Sequence, residues 1–290
     1  MKINLKQQPI HVMRVPLCLL LLFLILPLSA QITYKNNAIR TGDEIIKQQV
    51  EYKDPGRSGE NVVWNFGQLN AVNPEYKLRY ESPQLNRDSL YIMGRDTIHA
   101  KHIEYGDPII AIEHRTMYYY RLKGDSLFLL GYENPINIIR HSTPILSMIY
   151  PLDYKQQIKK DFKSQGVYSS NEFINTKGYV SLEADARGIL ILPSNDTVSH
   201  TLRIKTIQSI SNIDTLNNFS GMEIETYRWY AKGYRYPIFE IIKSFLVSDT
   251  TKQEGFKSAF LYPPQNHFYA SIYFNVPIIV ANKIHKYSAF

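Results

Sequence analysis

The chain has 290 residues, 33 Lys and Arg against 26 Asp and Glu, a formal charge of +7 and 22 tyrosines. That basic excess is small and scattered, so no nucleic-acid partner is expected, and a chain of this length can bury a core without a disulfide or metal. A single cysteine excludes an intrachain disulfide framework.

Lys2, Lys6, His11 and Arg14 form a basic head, residues 15–28 are almost wholly apolar, and Leu28-Ser29-Ala30 places small residues before Gln31. This is the pattern of a secretory signal peptide, residues 1–30. Its apolar run of about fourteen residues falls short of the roughly 20 that span a bilayer, so cleavage after Ala30 is expected and no transmembrane span thereafter. Cys18 sits inside the apolar run behind Val15-Pro16-Leu17, without the small residue that precedes a lipidated cysteine. Residues 31–290 are expected to form a single exported β-rich domain. Without Lys2, Lys6 and Arg14 the mature chain keeps 30 basic residues against 26 acidic ones. An exported chain of this length without thiols points to a bacterial envelope: periplasm, outer surface or medium.

Along the mature chain, Asp43 to Val50 could make two helical turns. Met117 to Leu122 and Ser126 to Tyr132 flank Lys123-Gly124-Asp125 as a hairpin, with Gly124 free to take the positive φ of a tight turn. Asp153 to Lys163 could form a short surface helix. Tyr179 to Ala184 and Ile189 to Leu192 read as a second hairpin around Asp185-Ala186-Arg187-Gly188, and Pro193-Ser194-Asn195-Asp196 then turns into a long strand, Val198 to Ile210. Residues 212–220 read as a hairpin loop. Glu223 to Ala231 and Tyr236 to Leu246 pair around Lys232-Gly233. Residues 271–280 are apolar but contain Pro277, which reads as an edge strand or buried tail. Short connections imply antiparallel neighbours. The expected fold is mainly β: an antiparallel β-sandwich or a strongly curled antiparallel sheet, with one or two short helices.

A tripeptide of Asp, then Ser or Thr, then an aliphatic residue or Thr recurs around Ser89, Thr97, Ser126, Thr197, Thr215 and Thr250. Turns entering strands produce such a pattern unaided. It also resembles the O-glycosylation acceptor of exported Bacteroidota proteins, which would make those six residues attachment sites. Tyr118-Tyr119-Tyr120 must alternate between the faces of a strand. Trp64, Trp229 and Tyr234 are candidate ligand-platform aromatics, with core packing as the alternative for the two tryptophans. His99 and His102, with His114, are three apart and then distant, which does not converge ligands on a strand, so no metal or other cofactor is expected. Glu183 and Asp185 could share a face, but a glycosidase pair must flank a sugar from two sides.

Four segments together resemble a family of exported Bacteroidota proteins of undefined function, several of which end in a type IX secretion sorting domain: Gly59-Glu-Asn-Val-Val-Trp64-Asn-Phe66, Gly124 to Asn134, Ala184-Asp-Ala-Arg-Gly188 onward to Lys205, and Tyr227-Arg-Trp-Tyr230 to Pro237. Asn65 stands where that family has an acidic residue, and Ala186-Arg187 where it has Gly-Tyr. No sorting domain is evident before Phe290, so type IX export is not implied. The resemblance implies an exported β-rich protein and carries over no catalytic residue. The expected function is non-enzymatic, an envelope or secreted module binding a macromolecule, protein or glycan. A carrier or sensor of an apolar ligand in a curled half-barrel is the second expectation, and a polysaccharide-active enzyme the third.

Overall fold

A computed structural model describes residues 32–82, 108–169, 171–213, 221–248 and 250–263. Within them the period-two alternation of the sequence becomes thirteen strands: β1 (Glu44–Val50), β2 (Gly59–Asn65), β3 (Tyr76–Glu81), β4 (Ile109–Glu113), β5 (Thr116–Lys123), β6 (Ser126–Glu133), β7 (Asn137–Ile149), β8 (Gln157–Tyr168), β9 (Glu172–Ile191), β10 (Thr197–Asn212), β11 (Gly221–Ala231), β12 (Phe239–Val247) and β13 (Lys252–Leu261). One short helix, α1 (Tyr34–Asn37), precedes them, N-capped by the Thr33 hydroxyl.

Twelve strands, all but β2, form an up-and-down antiparallel meander in chain order. It closes because β13 returns to β1, with Gln48, Gln49 and Val50 opposite Leu261, Phe260 and Ala259. The molecule is therefore a closed barrel rather than a sandwich or an open curled sheet. Short turns do produce the expected antiparallel neighbours, but closure joins the first strand to the last, a pairing to which no local signal points.

The turn at Gly124 has φ 56°, and β5 and β6 pair around it as expected, Leu122 opposite Leu127. The strand after residues 193–196 and the pairing of β11 with β12 also match expectation. Three elements differ. Residues 44–50 are strand β1, not helix, because Ile45 and Lys47 both turn into the barrel. Residues 157–163 open strand β8, whose Phe162 and Ser164 are buried between exposed Asp161, Lys163 and Gln165. The hairpin expected at residues 185–188 is continuous strand within β9.

β9 stays extended there because its end serves a second partner. β8 leaves its edge at Glu183, and β2 takes over in parallel from Ala186 to Ile191. Gly188 is what lets β2 approach, since a Cβ on it would lie 1.8 Å from the Val62 carbonyl oxygen. Gly188→Ala is expected to lower stability by about 1–3 kcal/mol through this overlap, read as a lower urea midpoint.

Of four buried apolar clusters among the described residues, the two largest lie one inside the wall and one outside it. The inner core gathers Leu78, Tyr80, Leu182, Leu202 and Tyr236 from around the barrel onto Ile32, Ala38 and Ile39 of the N-terminal segment. That segment closes the end of the barrel where β1 begins. Asn37 Nδ2 donates to the Tyr234 and Arg235 carbonyls, Arg235 donates to the Ala38 and Lys35 carbonyls, and Ile32 bridges Leu152. The outer core lies where β2 covers β9 to β13: Trp64 and Phe66 pack edge-on to Trp229, and Phe66 stacks on Phe239 at 4.3 Å. β7 and β8 separate past Thr143 and Lys163, where Pro144 has no N–H to continue the ladder.

Candidate functional site

Alternation settles which side chains face inward. On β11, Met222, Ile224, Thr226, Arg228 and Tyr230 face the barrel interior, while Tyr227 and Trp229 belong to the outer core. Tyr118 and Tyr120 likewise line the interior, and Tyr119 packs in a separate cluster with Ile110, Ile112 and Met117, its hydroxyl bonded to Glu133.

The interior holds two adjoining chambers that share Gln208 as a lining residue. The first, about 310 Å³, is lined by tyrosines and by aliphatic residues such as Leu127, Leu129, Ile145 and Val180, and five charged residues line it, Arg235 and a linked group of Lys47, Glu113, Arg228 and Glu240. Lys47 Nζ lies 2.9 Å from Glu113 and 3.2 Å from Glu240, and Arg228 Nε donates to Glu240 at 2.6 Å. Tyr76 donates to Glu113 and Tyr262 to Glu240. Burial alone would neutralise Lys47, Arg228 and Glu240, but they hold one another ionised. Burial pushes the Glu240 carboxyl up, and the Lys47 and Arg228 charges outweigh it and bring it down to about 2. Burial pulls Lys47 down, and Glu240 and Glu113 more than reverse this. Burial raises Tyr120, and raises Tyr230 to about 12, despite the opposing pull of Arg228, so both phenols remain neutral hydrogen-bond donors at neutral pH.

The second chamber, about 330 Å³, is more apolar, with Ile139, Phe162, Ile174, Ile210, Met222 and Leu246 in its wall. Its polar feature is His141, whose Nδ1 lies 2.7 Å from Ser164 Oγ and whose Nε2 is buried without a partner among the described residues. Burial pulls this imidazole from 6.5 down to about 4. The folded state thus binds the proton more weakly than the unfolded state. Its contribution to stability is complete above pH 6.5 and is lost as the pH falls toward 4, by up to about 3 kcal/mol. His141→Gln should flatten stability over that window, as thermal melts from pH 7 to pH 4 will measure.

The residues singled out in the sequence fall elsewhere. Trp64 and Trp229 are 3% and 0% exposed and so are core rather than platform, and Tyr234 packs half-buried beside them. Ser126 opens β6, Thr197 stands exposed at the start of β10, and Thr250 is exposed between β12 and β13, all three at turns. Ser89, Thr97, Thr215, His99, His102 and the apolar stretch 271–280 lie outside the described residues, as do residues 1–31. His114 is in the β4–β5 turn against the Tyr76 ring. Asp185 is held by Arg203, and Glu183 is on the same strand. No group of three or more His, Cys, Asp or Glu among the described residues is placed to hold a metal ion.

Lys47, Glu113, Arg228, Glu240 and His141 were not marked by sequence reasoning. The available signal was charge at an inward position: Glu240 interrupts Ile238-Phe239 and Ile241-Ile242, and Arg228 interrupts an aromatic run. Compared with protein-family models, with curated proteins and with solved structures, the chain matches none.

Proposed function

We propose that the protein is an exported, non-enzymatic carrier or sensor that holds a small, largely apolar ligand inside its barrel. The observation that carries this reading is the pair of adjoining chambers in the interior, walled by aliphatic and tyrosine side chains. Together they are of a size that takes one drug-sized or lipid-sized molecule. Export rests on the leader-like residues 1–30.

An even-numbered antiparallel meander is also the plan of outer-membrane barrels, which carry an apolar belt outside. Here the outer wall carries exposed charges at several strands, Lys77 and Arg79 on β3, Asp161 and Lys163 on β8, and Lys252 and Glu254 on β13, which interrupt any continuous apolar belt. That favours a barrel bathed in water. Binding of a macromolecule by this wall has less support. Many of its charges already pair with one another, as Lys252 with Glu223, Lys257 with Glu254 and Arg187 with Glu60, and three of its exposed large apolar side chains, Ile136, Tyr168 and Phe173, belong to one rim, where β7 begins and β8 turns into β9, rather than to the wall. Polysaccharide hydrolysis would need one carboxyl protonated as general acid, and the interior Glu240 is held ionised by two cations.

Purification from the native envelope followed by solvent extraction and mass spectrometry should return one stoichiometric small molecule. The emptied protein should bind the apolar fluorophore N-phenyl-1-naphthylamine saturably at one site. An extract without a ligand, together with no saturable fluorescence, would reject the carrier.

A further inference from the structure

We infer that Arg228 is the recognition point for the head group of the ligand, and that this head group is a carboxylate on an otherwise apolar chain. The inference rests on the carrier reading and narrows it.

A buried guanidinium is costly unless its N–H groups are satisfied. Two other buried arginines meet that condition at their termini. Arg203 grips Asp185 with Nε and Nη2 and gives Nη1 to the Pro55 and Gly56 carbonyls. Arg235 gives both terminal nitrogens to backbone carbonyls of the N-terminal segment. Arg228 differs. Only its Nε is engaged, with Glu240, and neither terminal nitrogen bonds to a described residue. Its side chain retains 34% of its accessible surface while lining the first chamber. The free edge of the fork therefore meets the cavity.

A planar pair of oxygens matches that edge, forming two parallel charge-assisted hydrogen bonds. The neighbouring charges select among anions. Lys47 is already shared between Glu113 and Glu240, and Arg235, which also lines the chamber, has both terminal nitrogens on backbone carbonyls, so neither offers a second open fork beside Arg228. A monoanion can be accommodated, whereas a phosphate dianion would place its second charge near Glu240 uncompensated. The Tyr120 and Tyr230 hydroxyls, which hold no hydrogen bond to a described residue, are further donors in the same chamber. Beyond the head, Leu129, Ile145 and Val180 line the way to Gln208, and Ile210, Met222 and Leu246 of the second chamber are left for the tail.

The test is a fluorescence titration of the full mature protein with cis-parinaric acid and with its methyl ester, for the natural chain, Arg228→Met and Arg228→Lys. The natural chain should prefer the acid by about tenfold or more. Arg228→Met should weaken acid binding by roughly ten- to a hundredfold and leave the ester within about twofold. Arg228→Lys keeps a cation beside Glu240 but loses the fork, and should lower the preference for the acid severalfold; it decides the matter if the Met variant does not fold. Equal binding of acid and ester by the natural chain, or an acid preference unchanged in the folded variants, overturns the carboxylate assignment while the carrier stands. Saturable binding of neither overturns both.

Discussion

Replacing Arg203 with Ala is expected to remove about 3–5 kcal/mol of stability, the largest single effect anticipated outside the barrel interior. Arg203 is 1% exposed and makes a two-pronged bond to Asp185 at 2.8 and 2.7 Å. Its guanidinium lies 5.5 Å from the Trp64 ring and 5.7 Å from the Trp229 ring, and it caps the Pro55 and Gly56 carbonyls of the segment leading into β2. Truncation leaves a carboxylate and two carbonyls without their donor under a covering of aromatic rings. The fall should appear in the urea midpoint, with near-ultraviolet dichroism of the tryptophans weakened. Arg203→Met combined with Asp185→Leu removes both charges and should recover part of the loss. Full recovery is not expected because the two carbonyls stay unpaired. If the single variant loses less than about 1 kcal/mol, the arginine does not fasten β2 to the wall.

Glu240→Gln is the second large effect, also about 3–5 kcal/mol, because one carboxylate serves two buried cations. Glu240 is 2% exposed and meets Lys47, Arg228 and the Tyr262 hydroxyl. Its pH signature separates it from His141. With a folded pKa near 2 against 4.5 unfolded, the carboxylate contributes fully above pH 4.5, and that contribution is lost as the pH falls toward 2. The natural chain should therefore lose stability in two stages, the imidazole acting between pH 6.5 and 4 and the carboxylate below about 4.5. Glu240→Gln should shrink the lower stage to the contribution of Glu225, whose carboxyl burial pushes up but Tyr227 and nearby lysines hold down, and leave the upper one, in chemical denaturation curves collected from pH 7 to pH 2.

Local chemistry was legible in the sequence wherever the decisive contact is local. Gly124 announces the β5–β6 turn, residues 193–196 announce the entry into β10, and the three consecutive tyrosines on β5 alternate as a strand requires. The Glu-Ile-Ile-Lys-Gln-Gln-Val of β1 contains good helix formers, and only tertiary partners overrule them. Lys47 is extended because Glu113 and Glu240 wait inside the barrel, brought there by strands remote in the sequence. Asp185-Ala186-Arg187-Gly188 has the composition of a turn and is strand because Arg203 holds the aspartate and β2 needs the bare glycine. The interior site stayed hidden for the same reason. Its charges come from β1, β4, β11 and β12, and only barrel closure brings them together.

The seam between β1 and β13 orders events in time. Because the first strand closes the barrel only against the last, β1 must wait, with one edge unpaired, until nearly the whole chain has been delivered. The hairpins from β4 to β13 can zip in succession from local contacts, whereas the final joint pays a long loop-closure entropy for three residue pairs. A chain crossing a membrane from its N-terminus would therefore emerge as a growing open sheet, its future interior still wet. The chambers would come into being only at the last step of folding. On the carrier reading, this is the step at which a ligand would be enclosed, and the three-pair joint would be the least costly place to part for its release.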